Sequence, residues 1–452
     1  MSKRQNPPAS NSSHASRMAA HQPPRIPSHI HPPFLGSPAN FGSPKTAAQL
    51  TQSQAGQIIA IPAPKRSPSV IGLAEIVGSQ FADEIQQSGQ LVFQSAGDTG
   101  FGATWDLELV AQVMEMDLHR PNPADQPAFF LHLGDVIYNH QYKLPESKAN
   151  MYEPQFYVPY ENYTGKILAI PGNHDSNPQE DPNSIDAFEA NFCAAPPASD
   201  GALQQLLNAP HRPPMYQPGV FFRLDTPFAQ IIGLFSNGGE HEGVIRGGVA
   251  GDVQWNFLLE QLAEVKALHQ RGSRPALILA MHHPPFSGGG GHSGSSSMLA
   301  DLDAAFQQAQ IGPDAVLSGH AHDYQRFTRT VQIAGAAMEV PYIVAGTGGH
   351  GRIQPIKPGP NLQPVRTPLR GKSSNGADDH SLRQYFNGFG HLLITVTNRV
   401  LTLDFIGTKT QTHLPVDSVT VDLATSTITN ETPPFSHPAN GEEQSSVHTK
   451  GA

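Results

Sequence analysis

Short apolar runs alternate with longer amphipathic stretches through the middle of this chain. The runs at 90–94, 127–133, 166–170, 276–280, 315–317 and 340–344 have strand length and little polar interruption. That is the pattern of strands buried on both faces of a largely parallel sheet. Residues 104–119, 185–192, 253–269 and 298–310 carry apolar positions at helical spacing. Leu107, Val110, Val113, Met114 and Leu118 form one such stripe, and Phe257, Leu258, Leu262, Val265 and Leu268 another. Residues 220–224 and 230–234 predict a pair of strands in a second sheet. Residues 391–396 and 400–406 alternate around Thr397-Asn398-Arg399 and predict a closing hairpin. Residues 70–87 read as a short helix or lead-in, and 351–387 as a long irregular loop. The aromatic-rich stretch 139–165 holds Tyr142, Tyr152, Phe156, Tyr157, Tyr160 and Tyr163. It reads as a packed surface loop, with a wall of a substrate cleft as the alternative. Strands alternating with helices predict an α/β fold of four layers, α-β-β-α, in which two mixed sheets face each other.

Polar motifs follow five of the apolar runs. They are Gly97-Asp98-Thr99-Gly100, Gly134-Asp135-Val136-Ile137-Tyr138, Gly172-Asn173-His174-Asp175, Met281-His282-His283-Pro284 and Gly319-His320-Ala321-His322-Asp323. In open α/β sheets ligands bind at the carboxyl ends of strands. Five such loops rich in Asp, Asn and His predict one metal site assembled from the whole fold.

The ordered set GD-x-G, GD-x-x-Y, GNHD, a strand ending in His, and GH-x-H resembles the calcineurin-like metallophosphoesterases over residues 88–410. Within them it is most similar to the purple acid phosphatase group. Gly100 stands where most of the superfamily has a metal-binding His, and Tyr138 where most have no ligand. The resemblance implies seven metal ligands: Asp98, Asp135, Tyr138, Asn173, His282, His320 and His322. It also implies two metal ions bridged by Asp135. Oxygen-rich Asp98, Asp135, Tyr138 and His322 suit Fe(III), whereas Asp135, Asn173, His282 and His320 suit Fe(II), Zn or Mn. The implied activity is hydrolysis of a small phosphate monoester by attack of a metal-bound hydroxide. A phosphodiesterase of the same fold, acting on cyclic nucleotides or phospholipid headgroups, is the alternative, and an inactive metal-binding module is a third reading. His174 stands where the family's motif carries a substrate-side His, and Asp175 could orient it and raise its pKa. His292, on the Gly-rich loop, is a second catalytic candidate by position. His241, His283 and His350 read as structural or solvent-facing, and Arg326 as one half of a structural ion pair.

Charge and composition bear on the ends and on the partners. Residues 1–68 hold seven basic residues and no acid, while the remainder holds 21 basic against 38 acidic. The acidic body argues against nucleic acid as a partner. The Pro- and Ser-rich first 68 residues predict a disordered basic tail, and 412–452 a polar tail. Cys193 is the only cysteine, so an intrachain disulfide is excluded. There is no run of the roughly 18 apolar residues that a membrane span needs, and no apolar signal-like start. Together these favour a cytoplasmic location, with secretion as the alternative. The oligomeric state is not legible in the sequence.

Overall fold

The computed structural model describes residues 56–100, 105–138, 151–179, 181, 183–193, 216–239, 242–288, 292, 294–350, 369–372, 378–408 and 414–433. In chain order its strands are β1 (Val70–Gly72), β2 (Gln90–Ala96), β3 (Phe129–His132), β4 (Lys166–Ala169), β5 (Phe222–Asp225), β6 (Ala229–Leu234), β7 (Ala276–Met281) and β8 (Ala315–Ser318). They continue as β9 (Tyr324–Ile333), β10 (Ala336–Ala345), β11 (Leu369–Lys372), β12 (Asp378–Phe386), β13 (Gly390–Thr397), β14 (Val400–Gly407), β15 (Asp417–Asp422) and β16 (Thr427–Glu431). The helices are α1 (Leu73–Val77), α2 (Ser79–Ser88), α3 (Trp105–Asp117), α4 (Asn173–Ser176), α5 (Ser184–Phe192), α6 (Val253–Gln270) and α7 (Ser296–Ala309).

Two mixed sheets form, as the alternation of runs predicts. One has the order β1-β5-β6-β7-β8-β10-β9-β12-β11 and the other β16-β15-β14-β13-β2-β3-β4. β2, β3 and β4 run parallel in the second sheet, and β6, β7, β8 and β10 run parallel in the first. Side chains along a strand alternate between its two faces. In β7, Ala276, Ile278 and Ala280 face the core between the sheets, together with Phe93, Phe129 and Leu131 of β2 and β3. Leu277, Leu279 and Met281 face the outer core instead, with Leu258 and Leu262 of α6 and Leu302 of α7. On the far side, Gln94 of β2 donates to the Met114 carbonyl of α3 at 3.0 Å, seating that helix on the other sheet. Each sheet is thus covered on both faces, which is why its parallel strands read as unbroken apolar runs. Among the described residues no helix is long and apolar enough to cross a membrane.

Four expectations change. The polar tail expected from residue 412 instead contains β15 and β16, which extend the second sheet beyond β14. Its inward positions, Val419 and Val421, are fully buried. A buried ion cluster ties these strands to the opposite sheet. The Arg326 guanidinium of β9, fully enclosed, forks onto Asp417 at 2.7 and 3.0 Å and reaches Glu431 at 2.7 Å. Tyr324 donates to the same Asp417 carboxylate at 2.7 Å. Arg326 therefore sits in the structural pairing read from the sequence.

Second, the disordered tail expected to run to residue 68 does not extend that far. Ile58 and Ile61 are buried in the core, and Ile59 exchanges backbone bonds with the Asn237 amide. Residues 1–55 lie outside the described part. Third, the irregular loop expected over 351–387 contains β12, which pairs with β9. Fourth, the aromatics at 152–163 are neither a surface loop nor a cleft wall. Tyr152, Phe156, Tyr160 and Tyr163 are buried against Phe130 and Phe192, and Tyr157 is buried against Phe156. Tyr142 lies outside the described residues.

Removing one partner of a buried ion pair strands the other charge, which typically costs about 3–5 kcal/mol. Asp417→Ala should lower unfolding stability by roughly that amount in denaturant titration. A loss under about 1 kcal/mol would mean that Arg326 finds water or another acid instead.

Candidate metal centre

The carboxyl ends of β2, β3, β4, β7 and β8 open onto one mouth, and each delivers one of the five motifs there. Asp98 and Asp135 follow β2 and β3 in the left-handed backbone region, with φ of 59° and 53°; His320, after β8, has φ of 68°. Asp and His tolerate this region better than most side chains. The loops interlock through these same residues. The Asp98 Oδ2 accepts the His320 backbone N–H at 2.8 Å, and the Asp135 Oδ1 accepts that of His174 at 2.8 Å. The Asp175 carboxylate accepts backbone N–H groups from Gly172, Val136 and Ile137 at 2.9–3.3 Å. It thereby fastens the Asn173 loop to the Asp135 loop. Gly172 is a necessity of space, because a Cβ there would run into the Asp135 carboxylate.

Two donor clusters result. In the first, Tyr138 Oη lies 3.0 Å from Asp98 Oδ1 and 3.3 Å from His322 Nε2, and His322 Nε2 lies 3.3 Å from Asp98 Oδ1. In the second, Asn173 Oδ1 lies 3.0 Å from His282 Nε2 and 2.9 Å from His320 Nδ1. Ligand atoms of Asp135, His282 and His320 all fall within 4.8 Å of one another. Ligands about 2.0–2.2 Å from one cation stand about 3.0–3.5 Å apart, so these spacings fit two ions. The seven residues are nearly inaccessible to solvent. All seven sequence-predicted ligand positions thus converge on this mouth.

The electrostatics fit cations as well. Burial alone would push the Asp98 and Asp135 carboxyls up. The imidazoles of His282 and His322 outweigh it at Asp98, and those of His282 and His174 at Asp135, so both acids sit below their ordinary range. Burial opposes charge on His282, yet the Asp135 and Asp98 carboxylates raise it to about 9. Its Nδ1–H donates to the Leu133 carbonyl at 2.9 Å, which aims Nε2 at the centre. Burial, reinforced by the Asp135 and Asp98 carboxylates, holds the Tyr138 phenol well above its ordinary value. In a metal-free chain this phenol keeps its proton, and only a Lewis-acidic cation could take the proton's place.

Around the clusters stand further histidines. The His174 ring lies 4.4 Å from that of Tyr138, and the His292 ring 4.2 Å from that of His320. The structure therefore brings both catalytic candidates to the mouth. His283 is held in place from both sides: its Nε2–H donates to the Gly239 carbonyl at 2.9 Å, and its Nδ1 meets Ser236 Oγ at 2.8 Å. It has the structural role that the sequence favours. His350 is buried against Tyr138 and is not solvent-facing. His241 lies outside the described residues.

Two contributors escaped the sequence reading. His132 accepts the Gly134 N–H on Nδ1 at 3.1 Å, which leaves Nε2–H to donate to Thr99 at 2.8 Å. A lone His inside the apolar run 127–133 was the available signal. Gln155 clamps the Tyr138 backbone, taking its N–H at 2.7 Å and donating to its carbonyl at 3.0 Å. Its place in an aromatic stretch carried no signal.

The family model described as calcineurin-like phosphoesterase matches residues 96–324. Among solved structures, the chain is similar to "GAP50 the anchor in the inner membrane complex of Plasmodium", with 13% identity and a TM-score of 0.47, over 78% of this chain and 90% of that one. It is similar to PhoD at 12% identity and a TM-score of 0.42, over 78% of this chain and 73% of that one. A dimetal phosphatase from Danio rerio matches at 10% identity and a TM-score of 0.38, over 74% of this chain and 99% of that one. No curated protein matches the sequence.

The Gly172 contact yields a test of the site. Gly172→Ala sets its Cβ against both the carboxylate and the main-chain N of Asp135, so the variant should bind less metal than the wild type by elemental analysis, with circular dichroism as the check that it folds. Unchanged metal content would mean that Asp135 has room to move.

Proposed function

The chain belongs to the calcineurin-like phosphoesterase family, and from that premise we propose that it is a phosphate monoesterase of the purple acid phosphatase type. The coarser statement, a metal-dependent phosphoesterase, follows from the family and from the clustered Asp, Asn and His donors. The finer reading rests on one observation. The Tyr138 phenol points into the first donor cluster, with its oxygen 3.0 Å from Asp98 and 3.3 Å from His322. Hard oxygen donors of this kind suit Fe(III), whereas Asp135, Asn173, His282 and His320 suit Fe(II), Zn or Mn.

Two bound ions would supply Lewis acidity to the phosphate and to the attacking water. The chain's residues do the rest. Asp135, between the clusters, sets their spacing. His174 stands over the mouth, its main-chain N–H anchored on Asp135 and its ring beside Tyr138. In this reading it gives a proton to the leaving ester oxygen, and Asp175 keeps its loop in register. His292, beside His320 and 5.4 Å from the His322 ring, supports the phosphate.

His174→Ala should retain both metals and lose roughly 10²–10⁴-fold in rate, as acid–base groups typically do. The loss should be large for esters with poor leaving groups and small for those with very good ones. An equal loss for both would remove the proton-donor role. Protein purified with iron present should absorb in the visible, and Tyr138→Phe should lose that band while still folding. A colourless wild type that is fully active with two zinc or manganese ions would refute the iron assignment. Parallel assays on a simple monoester and a bis-aryl diester decide the substrate type, and a strong preference for the diester would overturn the monoesterase reading.

A further inference from the structure

We propose that His350 is a positioning residue for the Tyr138 phenol and, through it, for the cation that Asp98, Tyr138 and His322 would hold. The inference rests on the metal-centre reading above and concerns a residue outside the seven ligands.

β10 ends at Ala345, and the glycine-rich turn that follows folds onto the Asp98 loop. The Gly97 N–H donates to the Ala345 carbonyl, the Gly348 N–H to Gly97, and the His350 N–H to Asp98, each at 2.9 Å. His350 is therefore registered to Asp98 by the main chain. Its side chain is fixed as well. Nδ1–H donates to the Gly100 carbonyl at 2.8 Å, and the ring is buried. The imidazole then lies almost flat on the phenol, with centroids 3.7 Å apart and planes 21° apart. Its edge meets the His322 ring at 4.5 Å.

These contacts answer a specific need. The phenolic oxygen sits at the far end of a long side chain, where small torsional changes displace it most. Gln155 fixes the Tyr138 main chain, while the Tyr138 ring is held by the Asp98 carboxylate at the phenolic oxygen, by the His174 ring at 4.4 Å and by the His350 imidazole. Gly100 offers no side chain to support the ring, and a Cβ there would come within 2.6 Å of the Ile137 Cα. His350, delivered from the opposite sheet, supplies the flat surface that stacks on the ring, whereas His174 meets it tilted. The hydrogen bond to Gly100 sets the plane of that surface.

Groups that orient metal ligands typically change metal affinity by roughly 10–100-fold when removed. The test uses the full-length chain expressed with iron and zinc. It reads metal per chain and the rate at which each ion is lost to EDTA, with thermal unfolding of the stripped protein as the control for folding. His350→Ala should release one of the two ions roughly 10–100-fold faster and leave the other near its wild-type rate. His350→Phe keeps the stack without the Gly100 bond and should fall between the two. It also carries the test if the alanine variant does not fold. Wild-type loss rates for both ions in either variant, or equal acceleration of both ions, would overturn the proposal. A wild-type chain that binds no metal would instead overturn the reading of the centre itself.

Discussion

The site depends on a backbone constraint at three strand ends. Asp98, Asp135 and His320 occupy the left-handed region, where a residue other than glycine typically stores on the order of 1–2 kcal/mol. An extended residue at the end of a strand would send its side chain into one of the two cores. The left-handed turn sends it instead toward the donor clusters. Such strain persists only where the surroundings over-determine it. Here they do so reciprocally. Asp98 fixes the main chain at His320 and Asp135 fixes that at His174, while Asp175 reaches back to Val136 and Ile137, so the carboxylates of one motif set the backbone of another.

The second dependence is on both sheets at once. Asp98, Asp135, Tyr138 and Asn173 follow strands of the seven-stranded sheet, whereas His282, His320 and His322 follow strands of the nine-stranded one. Neither sheet carries a complete donor set. The relation between the sheets is maintained by the apolar core between them. Near the site it is maintained by main-chain bonds such as that from Gly97 to Ala345. Farther along, the buried Arg326 binds Asp417 and Glu431 of the opposite sheet. A fault in that ion cluster would act on the centre through sheet register.

The strands that build the mouth were legible because they are buried on both faces, so every position is apolar and the run ends abruptly at a polar motif. The long helix over 253–270 was legible for the complementary reason, an apolar stripe against a polar face. What escaped were elements whose signal is half polar. β15 and β16 alternate Val419 and Val421 with Thr and Asp, and their hold on the protein comes from Arg326, nearly a hundred residues earlier in the chain. β12 and the segment around Ile58 likewise owe their places to distant partners, β9 and Asn237. The same limit applies within the site. Candidate ligand positions stand in short local motifs, but Gln155 and His350 meet Tyr138 only through the fold. Nothing in the neighbours of Gln155 marks it, and the glycine-rich turn before His350 does not say which ring it packs on.

Burial explains why such a centre can exist without unfolding the protein and why a cation suits it. Ionised Asp98 and Asp135 at almost no exposure would be strongly unfavourable alone. The surrounding imidazoles offset that penalty in the metal-free chain by sharing protons, as the rise of His282 to about 9 expresses. This arrangement holds the carboxylates ionised but leaves the His282 imidazole and the Tyr138 phenol protonated, the wrong state for ligands. Cations resolve the conflict, since they neutralise the acids while displacing the protons. Folding and metal binding then draw on the same interactions. A ligand that binds only the folded state raises its stability in proportion to the logarithm of ligand concentration over Kd. The strain stored at the three strand ends is borne by hydrogen bonds in the metal-free chain and would be borne by coordination once metal is bound. The left-handed turns that position the donors are the same turns that metal binding would lock.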